Sequence, residues 1–151
     1  PSNVARPDPA AFATVDAAVR AYANSGAIPA GYDGWTSAER QRFLDNIPKT
    51  RSAAQLAALD DALGLSATGN NEELFLWLEL ALANRYEPAV PQAEQFLARV
   101  GRAKFVRPLF AVLMGEGEWG QPIARRIYAE TRDSYHAVTR AGVDRVIGTG
   151  G

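Results

Sequence analysis

Asn71-Glu72-Glu73-Leu74-Phe75-Leu76-Trp77-Leu78-Glu79-Leu80-Ala81-Leu82 decides what kind of fold this chain makes. Leu74, Trp77, Leu78, Ala81 and Leu82 stand at i, i+3, i+4, i+7 and i+8, the spacing of one helical face. Asn70 or Asn71 can cap that helix with a side-chain oxygen, and Glu72 and Glu73 fall in a first turn where the helix dipole favours acids. The segment is apolar on more than one side, so it needs neighbours on both flanks.

The same signals continue in both directions. Toward the N-terminus, Ser52-Ala53-Ala54-Gln55 and Thr36-Ser37-Ala38-Glu39 are capping boxes, in which a hydroxyl and a carboxyl or amide each satisfy a free amide. The first of these opens a helix through Leu56, Leu59 and Leu63 that stops at Gly64. The second opens one that ends near Ile47, because Pro48 disfavours helical geometry in the residue before it. Gly26, Pro29, Gly31 and Gly34 mark a loop between Asn24 and Trp35. Before it, Phe12, Val15, Val19 and Tyr22 form a stripe on a helix over residues 10–24. Toward the C-terminus, Val90, Ala93, Leu97 and Val100 continue the pattern to Gly101, and three further helices are predicted over 108–114, 122–132 and 134–147. No run reads as a strand.

About eight helices joined by short loops must pack antiparallel with their neighbours. Helix starts recur about every seventeen residues in the middle of the chain, so a helix pair recurs at roughly thirty-four, near the period of helical-hairpin solenoids. The expected fold is therefore all-α, an armadillo- or HEAT-like two-layer right-handed superhelix, with an irregular helical bundle as the alternative. The chain starts Pro1-Ser2-Asn3 without a methionine, and Pro7 and Pro9 read as the end of a linker. Residues 1–9 are accordingly expected to be a linker from an upstream domain, and residues 10–151 a single helical domain.

Composition excludes most chemistry. The 151 residues are 47% hydrophobic and 22% charged, with a net charge of −1, which advertises neither a nucleic-acid nor a membrane partner. There is no cysteine and one histidine, His136, so neither a thiolate site nor a His-Glu-x-x-His zinc site can be built, and no metal or cofactor is expected in this chain. Ser134, Asp133 and His136 lie too close on one helix to converge as a triad. Asp60/Asp61 and Glu72/Glu73 are adjacent pairs that diverge by about 100° on a helix, and the simplest reading is solvated faces or helix-end charges.

Gly101-Arg102-Ala103-Lys104-Phe105-Val106-Arg107-Pro108 stands apart. Between Gln95 and Gly115 there is no acid, yet Arg99, Arg102, Lys104 and Arg107 all fall there. Gly101 and Pro108 favour an extended or tight-turn path, on which Arg102 and Lys104 would share a face. An arginine fork with a lysine point charge suits a carboxylate, and a solvated basic loop is the competing reading.

The run from Asn71 to Leu78, Pro91, and the string Gly101 to Phe110 resemble the C-terminal domain of the leukotriene A4 hydrolase and aminopeptidase B family. Tyr128 and Ser134-Tyr135-His136-Ala137-Val138-Thr139 resemble that domain's closing helices, and the likeness runs from about Trp35 to Ile147. The resemblance implies an armadillo-like domain closing one side of the active-site cleft of a zinc aminopeptidase of peptidase family M1. Catalytic residues and zinc are then expected on an upstream catalytic domain of the same polypeptide, the main partner, with a short peptide as substrate. It also implies that Arg102 and Lys104 bind the substrate's C-terminal carboxylate, with Arg107 structural behind them. Ala103, Val106 and Ala137 depart from the family's best-known member without touching the charged pair, and nothing assigns the lipid epoxide activity that some members have. The alternative function is a free-standing helical-repeat scaffold that binds protein partners.

Overall fold

The computed structural model describes residues 9–149, so the linker expected over 1–9 lies outside the described residues apart from Pro9, which opens the first helix. Eight α-helices and no strand occur among the described residues: α1 (Pro9–Ser25), α2 (Ser37–Asn46), α3 (Ala53–Leu63), α4 (Asn71–Ala83), α5 (Val90–Arg99), α6 (Ala103–Gly115), α7 (Gly117–Thr131) and α8 (Ala137–Thr149). Contacts divide the chain into two compact units, and the division falls inside α4, after Trp77.

In the N-terminal unit both capping boxes form. Thr36 Oγ1 accepts the Glu39 amide at 3.2 Å, and Ser52 Oγ accepts that of Gln55 at 3.1 Å. Each N3 side chain returns the bond, Glu39 Oε1 at 2.6 Å and Gln55 Oε1 at 2.8 Å. Gly64 ends α3 at φ 65°, a left-handed conformation that costs glycine least. α1 packs on α2. Phe43 forms the centre, meeting the rings of Tyr22, Tyr32 and Trp35 at centroid distances of 6.0, 6.1 and 5.8 Å, the tilted geometry that aromatic quadrupoles prefer.

Two acidic pairs read as solvated are only half so. Asp60 accepts both the amide and the hydroxyl of Ser66 at 2.7 Å, and Ser66 Oγ in turn accepts Trp77 Nε1 at 3.0 Å. That chain of bonds gives a fully buried indole its partner. Glu73 is 2% exposed, with Arg40 Nη1 3.8 Å from its carboxylate. Arg40 also donates from Nε to the Tyr32 carbonyl at 3.0 Å, so one guanidinium fixes the loop before α2 and neutralises a buried acid. Burial and the nearby Glu73 charge push the Tyr32 hydroxyl well above its ordinary range.

The C-terminal unit is built on α6. Phe105, Val106, Leu109, Phe110 and Leu113 are buried, and α6 packs against both α7 and α8. Two prolines sit inside helices, Pro108 in α6 and Pro122 in α7, where helix starts were expected. Each is the sixth residue of its helix, so only one early amide-to-carbonyl bond is forfeited, and the buried faces on either side hold the turn in place. At Gly120 a Cβ would lie 2.0 Å from the Leu113 carbonyl oxygen, so the two backbones meet where only hydrogen fits. Asp144 of α8 binds Arg132 through both oxygens, at 3.0 and 2.9 Å, and accepts the Tyr128 hydroxyl.

Candidate functional site

The basic segment forms the bend between α5 and α6. α5 ends with the Val100 amide on the Phe96 carbonyl at 2.8 Å, and Val100 is extended. Arg102, also extended at φ −74° and ψ 128°, is the N-cap of α6, and its carbonyl takes the amides of Phe105 and Val106, both at 3.0 Å. The expected extended path is therefore real at Val100 and Arg102 but gives way to helix at Ala103. Pro108 does not prevent this, for the reason given above, and Lys104 and Arg107 stand on a helix rather than a strand-like loop.

The start of α6 has no side-chain cap and no acid in its first turn. Partial positive charge from the open amides adds there to Arg102 and Lys104, both exposed. Arg102 enters no ion pair among the described residues. Lys104 Nζ lies 4.9 Å from the Phe105 ring centre, Phe105 meets Phe96 edge-on at 5.7 Å, and the Arg99 guanidinium stands 5.5 Å from the Phe96 ring. An aromatic pair thus carries one cation on each ring.

Lys104 and Arg107 line the same open crevice of about 320 Å³, with Ala103, Pro108, Ala111 and Val146 as its apolar walls. Arg102 is not among its lining residues. Arg107 lies along α8: a Cβ on Gly142 would come within 2.7 Å of its Cδ and 3.1 Å of its Nε, so the glycine makes room for the arginine stem. Two hydroxyls from the segment before and within α8 reach the bend. Tyr135 donates to the Leu97 carbonyl at 2.7 Å and Thr139 to the Gly101 carbonyl at 3.0 Å. The sequence offered only membership of the Ser134–Thr139 string as a hint of these contacts.

His136 is exposed and directly precedes α8, its carbonyl accepting the Arg140 amide at 2.9 Å. Among the described residues no group of three or more His, Cys, Asp or Glu side chains is placed to hold a metal ion, and no helix is long and apolar enough to cross a membrane.

An all-helical domain with a basic bend and no metal-ligand cluster among its described residues is thus defined. Residues 35–147 match the family model described as leukotriene A4 hydrolase, C-terminal, and the chain belongs to that family. It is 32% identical over 119 residues to leucine aminopeptidase 2 of Pyricularia oryzae, covering 77% of this chain and 19% of that protein. To leucine aminopeptidase 2 of Aspergillus niger it is 33% identical over 105 residues, 70% of this chain and 16% of the relative. The structure of native yeast LTA4 hydrolase superposes with a TM-score of 0.74 over 98% of this chain and 28% of that one, at 19% identity, so the fold is shared. The chain spans about a fifth of the length of the relatives it matches.

Proposed function

We propose that this chain is the C-terminal part of a zinc aminopeptidase, that it contributes no catalytic group, and that Arg102 and Lys104 hold the carboxylate at the end of a short peptide substrate. Residues 10–151 would then close one side of a cleft whose zinc and general base belong to an upstream catalytic domain. One observation carries the reading: the start of α6 concentrates cations where the open helix amides are already positive, with no acid in the turn to offset them. This arrangement lowers helix stability by a few tenths of a kcal/mol per charge and makes sense as a receptor for an anion. A fixed cation pair at a set distance from the zinc also measures peptide length, which suits an enzyme for short substrates. Family membership favours this reading over the free-standing scaffold.

The test is Arg102→Ala in the polypeptide that includes the catalytic domain. Charge-assisted hydrogen bonds contribute roughly 1.5–3 kcal/mol, so kcat/KM for a free-acid tripeptide should fall about ten- to 150-fold. The C-terminal amide of the same peptide should lose much less. Equal cleavage of acid and amide by mutant and parent alike would remove the carboxylate assignment.

A further inference from the structure

We infer that Tyr135 and Thr139 are positioning residues that set the direction of Arg102 by holding the carbonyls of the α5–α6 bend; this rests on the carboxylate reading above. The bend needs such a device. Gly101 is exposed and a Cβ there would touch nothing within 4 Å, so packing does not fix this glycine turn. Hydrogen bonds do. The Phe96 carbonyl is occupied by the Val100 amide, and that of Arg102 by Phe105 and Val106. Of the carbonyls between them, Leu97 is taken by the Tyr135 hydroxyl and Gly101 by the Thr139 hydroxyl, each reaching back 38 residues.

Both donor residues are buried, Tyr135 at 4% exposure and Thr139 at 6%; the Tyr135 bond is itself buried, and the Thr139 bond is part-buried beside the exposed Gly101. Tyr135 and Thr139 are four residues apart and Gly142, the seat of the Arg107 stem, is three further on. Thr139 and Gly142 lie in α8, where that spacing puts them on one face, and Tyr135 stands extended just before the helix. The Arg-x-Lys string and the Ser134–Thr139 string, separate in sequence, are therefore two halves of one arrangement. The Gly101 carbonyl belongs to the peptide unit whose nitrogen is that of Arg102. Tilting that unit re-aims the Cα–Cβ bond of Arg102 and carries the guanidinium with it.

The experiment uses the polypeptide that includes the catalytic domain, assayed with one tripeptide as free acid and as C-terminal amide. Thr139→Val keeps the shape and drops the donor, and should raise KM for the free acid about tenfold, with kcat and the amide's constants unchanged. Thr139→Ser, which restores the hydroxyl, should recover the parent KM. Tyr135→Phe keeps the ring, provides a second variant should Thr139→Val not fold, and should shift KM in the same direction. Arg102→Ala serves as the reference that cuts the preference for acid over amide, Lys104 retaining the remainder. If Arg102→Ala cuts it while both hydroxyl deletions keep it whole, the positioning role is wrong and the carboxylate reading stands. A preference undiminished by Arg102→Ala overturns both.

Discussion

At the start of α4 the Asn70 side chain accepts the Glu73 amide at 2.9 Å and two glutamates fill the first turn. The start of α6 carries Arg102 and Lys104 instead, with no acid and no side-chain cap. Both turns carry the partial positive charge of a helix start. At α4 the chain cancels that charge internally and buries the product, with Glu73 shielded and Arg40 beside it. At α6 it adds to the charge and leaves it at the surface. On the proposed reading one helix start serves stability and the other an anion, and a substitution in each should be felt in different assays.

The largest effect on folding is expected at Arg40. Arg40→Met leaves Glu73 buried without its cation and should destabilise the chain by about 3 kcal/mol in urea unfolding. If the loss were below about 0.5 kcal/mol, the α4 start would not depend on internal neutralisation. Asn70→Ala removes the cap and should cost about 1 kcal/mol, with no change in the discrimination between acid and amide substrates.

Asp144→Asn should lower the melting temperature at neutral pH by less than that. The Arg132 and Tyr128 hydrogen bonds hold the Asp144 carboxyl down at about 2, below its ordinary 3.8. A depressed carboxyl stabilises the fold above its unfolded value and loses that contribution as pH falls. The difference between variant and parent should thus be complete above about pH 4 and close between there and pH 2. Burial and the Asp144 charge push Tyr128 up to about 12, so its contribution is present below pH 10 and fades as pH rises toward 12. Smallest of all is Arg102→Ala, within about 0.5 kcal/mol on stability, since an exposed N-cap arginine that caps nothing holds nothing together. A large destabilisation there would turn the α6 start into a structural element and dissolve the contrast.

What the sequence disclosed follows the range of the forces involved. Capping boxes at Thr36 and Ser52 and the stop at Gly64 are closed by residues three or four apart, and all three are present. The α4 stripe was equally legible: Leu74, Trp77, Leu78, Ala81 and Leu82 are all buried. The burial of Glu73 was not, because the cation beside it stands 33 positions earlier and no periodicity links the two. Pro108 and Pro122 misled the reading of two helix starts, since the loss of a single early bond is outweighed by burial of the residues around it. Arg102 and Lys104 were picked out by their acid-free neighbourhood and by the family resemblance, whereas Tyr135 and Thr139 act over a separation that spacing rules do not reach.

Gly120 has a consequence for how this domain can vary. The obstacle there is the Leu113 carbonyl oxygen, which the first carbon of any side chain would meet. Because every other L-residue shares that carbon, alanine should be refused as firmly as tryptophan. Tolerance at this position is a step rather than a slope, and in a library of random variants position 120 should read as a single silent column while its helical neighbours accept change.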